Sequence, residues 1–239
     1  MQLTGPEILR CINTPNPNNP DNKPDIIITP FSENCLGSNS YDLHLGEVLK
    51  IYKKTLPDGM LPVIEYVPGK KYSMEDWFIN KDCFLRYLKN PHYFDHRNPA
   101  FLIDPCDEAS HETIDITIPE NGVILSPDIG YLGHTIEYTE TYNLFPYIDG
   151  KSSVGRNFIL NHHTAGRGDD GFCGQWTLEI KVLYPTVVRP NMRIGQIYYE
   201  QFVGKRRPYN KNKTSHYNGQ MGPTPAAVIP IEKIHQKQK

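Results

Sequence analysis

Several large protein classes are excluded by what this sequence lacks. Its 239 residues contain no apolar run long enough to cross a bilayer as a helix. The opening residues, MQLTGPEILR, show no basic segment leading into an apolar stretch, so no signal peptide is expected. The cysteines (Cys11, Cys35, Cys83, Cys106 and Cys173) are odd in number and widely spaced, and no CxxC occurs. That speaks against a disulfide framework or a zinc knuckle and for structural thiols in a reducing cytoplasm. Neither sign of charge dominates: 25 Lys and Arg stand against 27 Asp and Glu, a formal net charge of −2. Such a balance gives no field to hold a long polyanion, so nucleic acid is not an expected partner. A small anion held by a few local basic groups is still compatible with that balance. No internal repeat is visible, and a hydrophobic content of 38% is enough for a packed core.

What is present is punctuation. The 21 prolines and 18 glycines recur at short intervals, which suits short strands and turns better than long helices. Thr4-Gly-Pro-Glu7 has the spacing of a capping box and predicts a short helix through Ile12. Period-two alternation or β-branched runs predict strands over 25–29, 40–46, 48–52, 61–67, 113–118, 123–125, 131–139, 143–148, 175–184 and 192–202. Residues 185–191 read as a turn region, and a further short strand is expected near Phe101. One longer helix is predicted over 73–90, capped by Ser73 with Asp76 in its first turn. Its apolar stripe would be Trp77, Phe78, Phe84, Leu85 and Leu88. The expected fold class is therefore mainly β, a barrel or jelly roll with a few short helices.

Chemistry-bearing residues concentrate between Gly150 and Ile180. Gly150-Lys-Ser-Ser-Val-Gly-Arg156 offers hydroxyls, a Lys and a forked Arg donor between glycines, as a phosphate would need, although on composition alone a polar turn is the better reading. It is not a Walker motif, since GxxxxGK(S/T) is absent. In Trp176-Thr-Leu-Glu-Ile-Lys-Val182, period two puts Trp176, Leu178, Ile180 and Val182 on one face and Glu179 on the other. Glu179 is either an ordinary solvated residue or a general acid/base in a cleft. His162 and His163 are adjacent, so their side chains diverge and chelate a metal poorly; lining or structural roles fit better. Asp169-Asp170-Gly171 reads as a turn, or as a carboxylate presented to a sugar or water.

Seven stretches, in order and spacing, together resemble the dCTP deaminase branch of the trimeric dUTPase superfamily. Ser40-Tyr-Asp-Leu-His-Leu-Gly46 resembles the family's SYDLRLG, and Asp149-Gly-Lys-Ser-Ser-Val-Gly-Arg156 its DG(R/K)SSxxR. His163-Thr-Ala-Gly166 resembles (V/T)TA(G/H), Asp169-Asp-Gly-Phe-Cys-Gly174 resembles DPGFxG, and Thr177-Leu-Glu-Ile180 resembles TLEL. Pro190-Asn-Met-Arg-Ile-Gly-Gln196 resembles PGMKIGQ, and Tyr217-Asn-Gly-Gln-Met-Gly-Pro-Thr-Pro225 resembles YQGQxGPTP. The likeness spans residues 1–68 and about 113–225, leaving 69–112 as an insertion and 204–225 as a C-terminal lid on one dUTPase-like domain.

The resemblance implies a homotrimer with sites between subunits, converting dCTP to dUTP and ammonia. Glu179 would be the general acid/base, with Ser152 and the carbonyl of Ala165 holding the attacking water and Arg156 stabilising charge. Lys151, Ser153 and Gln196 would meet the triphosphate, and Asp169 the deoxyribose 3′-hydroxyl. His163 and Thr164 would lie near the base, and Tyr209, His216, Tyr217 and Gln220 would belong to the lid. Mg2+ would ride on the substrate phosphates through waters, dTTP is a candidate inhibitor, and zinc is not implied. Zinc deaminases carry H-x-E with P-C-x-x-C, whereas here Pro105-Cys106 is followed by Asp107-Glu108-Ala109. Lys151, Gly155, Gly166 and the Gly219–Pro225 tail resemble the subgroup that continues to dUMP and pyrophosphate. That product supplies thymidylate synthesis, and Asp169 would then also direct a water to the α-phosphate. The chain departs from the pattern at His163 (usually small or β-branched), at His216 (often Lys) and at Asp170 (usually Pro or Ala). A dUTP diphosphatase without deamination, and a non-catalytic nucleotide-binding regulator on the same fold, remain as alternatives.

Overall fold

The computed structural model describes residues 1–95, 97–162, 165–211 and 215–230. In chain order its elements are α1 (Gly5–Asn13), β1 (Ile26–Thr29), β2 (Tyr41–His44), β3 (Val48–Tyr52), β4 (Val63–Glu65), α2 (Lys81–Lys89), β5 (Thr113–Thr117), β6 (Val123–Leu125), β7 (Tyr131–Thr141), β8 (Phe145–Gly150), α3 (Ser152–Gly155), β9 (Ile159–Leu160), β10 (Cys173–Val182), β11 (Thr186–Val188) and β12 (Arg193–Glu200). The expected mainly β architecture is present. It forms three antiparallel sheets, ordered β5-β3-β7-β10-β9 with β1 also on β7, β11-β6-β4, and β2-β12-β8.

The long strand β7 organises the largest sheet. β10 pairs along one edge, and β3 and β1 share the other. On β10 the predicted alternation holds: Trp176, Leu178, Ile180 and Val182 are buried, while Thr177, Glu179 and Lys181 are half-buried. The buried row packs with Leu43 and Leu45 of the β2 region, Leu49 and Ile51 of β3, and Ile194 and Ile197 of β12 in one core. Burying each such side chain contributes about 1.5–3 kcal/mol, enough for the strand faces to set the register.

Four local expectations need correction. The helix over 73–90 is broken. A 3-10 turn at Met74–Trp77 is followed by extended Phe78, and α2 starts after Asn80, whose side chain accepts from the Cys83 N–H at 3.0 Å. The cause is tertiary: Leu61 N–H donates to Trp77 O at 2.8 Å and Ile79 N–H to Gly59 O at 3.0 Å, drawing 77–79 into an extended pairing. The stripe splits accordingly. Trp77 and Phe78 are buried in a second cluster with Met60, Ile64, Cys83 and Ile124, while Leu85 and Leu88 face outward. Near Phe101 there is a 3-10 turn, Pro99–Phe101, capped by Asn98, in place of a strand. The 185–191 turn region contains β11, which uses the free edge of β6. At α1 the capping box is absent: Thr4 makes no side-chain cap, and the Glu7 carboxylate is engaged by Arg10 at 2.6 Å.

Candidate active site

A cavity of about 520 Å³ opens beside β10. The strand contributes Thr177 and Glu179; the segment leading into it contributes His162, Ala165 and Asp169; the C-terminal segment contributes Tyr209, Tyr217 and Gln220. Of the residues singled out in the sequence, Glu179, Ala165, Asp169, Tyr209, Tyr217 and Gln220 thus converge on one space. Period two explains the presence of Glu179. With Leu178 and Ile180 sunk in the core, the carboxylate must point to the opposite face, where it pairs in register with Leu132 of β7. Its side chain is 38% exposed, and the Nδ1 of His162 lies 3.5 Å from its Oε2.

Backbone bonding to β10 brings the C-terminal segment over this cavity. Gln175 N–H donates to Gln220 O at 3.0 Å, and the Gln220 amide returns a bond to Gln175 O at 2.7 Å. The Gln175 carbonyl side-chain oxygen accepts from Gly222 N–H at 2.6 Å, and the Thr177 hydroxyl accepts from Thr224 N–H at 3.0 Å. Gly174 allows this approach. Its φ is +153°, and a Cβ there would stand 3.0 Å from Gln220 O. Farther along, Ala226 N–H donates to the Tyr52 hydroxyl at 3.1 Å, and Ile229 N–H to Pro105 O at 2.9 Å, so β3 and one residue of the inserted stretch also hold the tail. Gln220 is therefore engaged with strand backbone, and His216 is exposed with its ring against Tyr217, outside the cavity lining.

The other expected residues stand elsewhere on the chain. Ser152, Ser153 and Arg156 lie on or directly after α3 and are exposed. Lys151 donates to both oxygens of Asp42 at 2.7 and 2.8 Å, and Arg193 reaches the same carboxylate at 3.0 Å. Gln196 pairs in register with Asp42 and Asp149; its amide donates to Gly150 O at 3.3 Å and accepts from Ser40 at 3.0 Å. His163 and Thr164 fall outside the described residues.

Sequence reasoning missed one structural pair at the site's edge. Asp170, read as part of a turn, is buried and accepts from Arg206 Nε and Nη2, each at 2.8 Å, and from Asn143 N–H at 2.8 Å. The Arg206 guanidinium is driven further up its already high range by that bond. Arg206 had no local signal as the partner, since only folding brings positions this distant into contact. Tyr52, Trp176 and His162 also line the cavity. Gly168 crosses Trp176 so closely that a Cβ would meet the indole at 2.2 Å.

Known proteins resemble this chain over most of its length. A family model described as dCTP deaminase-like matches residues 82–202, beginning inside the stretch read as an insertion. A protein named dCTP deaminase, dUMP-forming, from Clostridium botulinum (strain Eklund 17B / Type B) is 33% identical over 219 residues, covering 92% of this chain and 93% of its own. One of the same name from Leptospira biflexa serovar Patoc (strain Patoc 1 / Ames) is 34% identical over 228 residues, covering 95% and 96%. The crystal structure of 2′-deoxycytidine 5′-triphosphate deaminase from Agrobacterium tumefaciens superposes with a TM-score of 0.50 at 16% identity, over 84% of this chain and 48% of that one. This chain thus spans about half the length of that solved chain, and the likeness speaks for the fold alone. With the motifs in order, the fold in agreement and relatives matched over nearly their whole length, the chain belongs to the dCTP deaminase-like family.

Proposed function

We propose that this protein hydrolyses dCTP to dUTP and ammonia, and then dUTP to dUMP and pyrophosphate, supplying dUMP for thymidylate synthesis. The observation that carries the reading is Glu179, on a rigid strand, sharing one cavity with Ala165 and Asp169 beneath the C-terminal segment. In this mechanism Glu179 takes a proton from a water held at the Ala165 carbonyl while the oxygen adds to C4 of cytosine. It gives that proton to N3 of the ring, then carries the proton of the newly added hydroxyl to the amino group, which leaves as ammonia. Asp169 meets the 3′-hydroxyl and, for the second reaction, directs a water to the α-phosphate. Residues 204–225 act as a lid that excludes water. Its bonds along Gln175 and Thr177 support that role.

Ser152, Ser153 and Arg156 enter the site from a second copy of the chain in a homotrimer. Two features support this: they are exposed on α3, and apolar side chains crowd next to them at the surface. Phe158 is 50% and Tyr184 61% exposed, in edge contact at 5.5 Å, and Leu183 adjoins them. Lys151 and Gln196 act near the phosphates either directly or by holding Gly150 and Asp42 in place. In this reading Mg2+ rides on the substrate's phosphates. The free thiols fit a cytoplasmic enzyme, and dTTP would compete at the same cavity.

Incubation with dCTP and Mg2+ tests the proposal. Ammonia with dUMP and pyrophosphate is expected; ammonia with dUTP would limit the enzyme to the first step. Pyrophosphate from dUTP without ammonia from dCTP would make it a diphosphatase, and binding without turnover a regulator. Glu179→Gln should still bind dCTP but lose ammonia release by at least about 100-fold. Turnover near that of the native protein would remove Glu179 from the chemistry.

A further inference from the structure

His162 has no part in the chemistry above, yet its surroundings define it narrowly. Its side chain is 9% exposed and lines the cavity. Nδ1 faces Glu179 Oε2 at 3.5 Å, and Nε2 is buried with no hydrogen-bond partner among the described residues. The ring rests against Gly166, where an added Cβ would stand 3.8 Å from His162 Cδ2 and collide with Ile148 O at 2.3 Å.

Imidazole has three protonation forms, and this setting ranks them. With the proton on Nε2, a donor would be buried with no acceptor, and the Nδ1 lone pair would face a carboxylate. Imidazolium would leave the same orphaned N–H, now charged. With the proton on Nδ1 alone, the donor faces Glu179 and only a lone pair goes unpaired. A 3.5 Å contact lies at the long end of hydrogen bonding, as such contacts do before substrate closes a site.

We infer that His162 is held as the neutral Nδ1–H tautomer and is the positioning residue of Glu179, donating to its carboxylate and favouring its ionised form. This rests on the reading of Glu179 as the base. A carboxylate that accepts a hydrogen bond stays ionised to lower pH and keeps one rotamer, both of which a base in a half-open cavity needs. The titratable groups lining the cavity around the pair include Arg167 and Asp169 on the neighbouring loop, Tyr52 from β3, and Tyr209 and Tyr217 from the tail. Lys50, two strands away in the same cross-strand row, is engaged by Asp115 at 2.5 Å.

Two variants of the full chain and one spectrum test it. His162→Leu keeps the bulk and removes both nitrogens; His162→Asn places an amide N–H near the Nδ1 position. With dCTP and Mg2+, His162→Leu should lower kcat for ammonia release about 10-fold with KM within about twofold. The acidic limb of its kcat–pH profile should move up by about one unit. His162→Asn should restore both. An unmoved limb in His162→Leu, or equal impairment in the two variants, would overturn the inference. Nitrogen-15 spectra of histidine-labelled native protein, assigned by the signal lost in His162→Asn, should show Nδ1 protonated and Nε2 bare at neutral pH. Protonated Nε2 would overturn it regardless of how the variants fold. Glu179→Gln separates the two levels: an active variant sinks the base assignment, whereas an inactive one alongside an unmoved limb sinks only the role of His162.

Discussion

Replacing Arg206 with alanine would strip a buried carboxylate of its charged partner. Asp170's side chain is 6% exposed and takes both Nε and Nη2 of Arg206 at 2.8 Å, with one further bond from Asn143 N–H. Breaking a fully buried pair from one side costs about 3–5 kcal/mol, because the remaining charge has lost both water and partner. Arg206 is 32% exposed, so water partly screens the pair. We therefore expect Arg206→Ala to cost about 2–3 kcal/mol, or about 5–10 °C in Tm for a chain of this length. Thermal and urea unfolding, at matched protein concentration because assembly shifts apparent stability, provide the measurement. The diagnostic result is the double variant. Adding Asp170→Asn removes the stranded charge while keeping an acceptor for Asn143, and should recover about 1 kcal/mol or more. If Arg206→Ala unfolds within about 0.5 kcal/mol of the native protein, or the double variant is no more stable than the single, the buried-charge reasoning is wrong. Activity should change with stability. Tyr209 N–H donates to Asp170 O at 2.6 Å, so a loosened Asp170 should also raise KM for dCTP.

Alkali should unfold this protein through its tyrosines. Burial pushes Tyr41 up to about 12 and pushes Tyr131, Tyr142 and Tyr199 further, whereas the unfolded chain releases these protons near pH 10. The folded state then binds more protons than the unfolded one, so the stability present below pH 10 declines by about 1.4 kcal/mol per unit per such tyrosine. For Tyr41 that decline spans about pH 10 to 12. Phenolate absorbance should rise in two steps, the second coinciding with loss of structure; one step with the fold intact would contradict the burial argument. At the lid, Tyr52→Phe removes the acceptor for Ala226 N–H, a bond worth about 1 kcal/mol, and should raise KM for dCTP about fivefold with Tm unchanged. Unaltered hydrogen exchange at Ala226 in that variant would mean the contact does not hold the tail.

The strands that the sequence made legible are those whose pattern is local. Alternation on β10 needs only the chemistry of neighbouring residues, and the core accepted Trp176, Leu178, Ile180 and Val182 as the period demanded. The helix over 73–90 failed for the opposite reason. Its capping chemistry is present, with Asp76 accepting from Ser73 N–H at 2.7 Å, but hydrogen bonds to residues 59 and 61 outweigh continuation past Trp77. β11 was hidden because three residues between prolines carry no period, and only the exposed edge of β6 makes them a strand.

At the site, the sequence by itself determined where groups able to do chemistry concentrate and which face of β10 Glu179 occupies, since both follow from residue type and a two-residue repeat. Only the tertiary structure decided how those groups are partnered. It bonded Lys151 to Asp42 and Arg206 to Asp170, left α3 facing outward, laid the tail along Gln175 and Thr177, and set His162 behind Glu179. Those pairings join residues far apart in the chain. No local pattern encodes them, because a charge or hydrogen-bonding group takes its role from whatever folding places within reach.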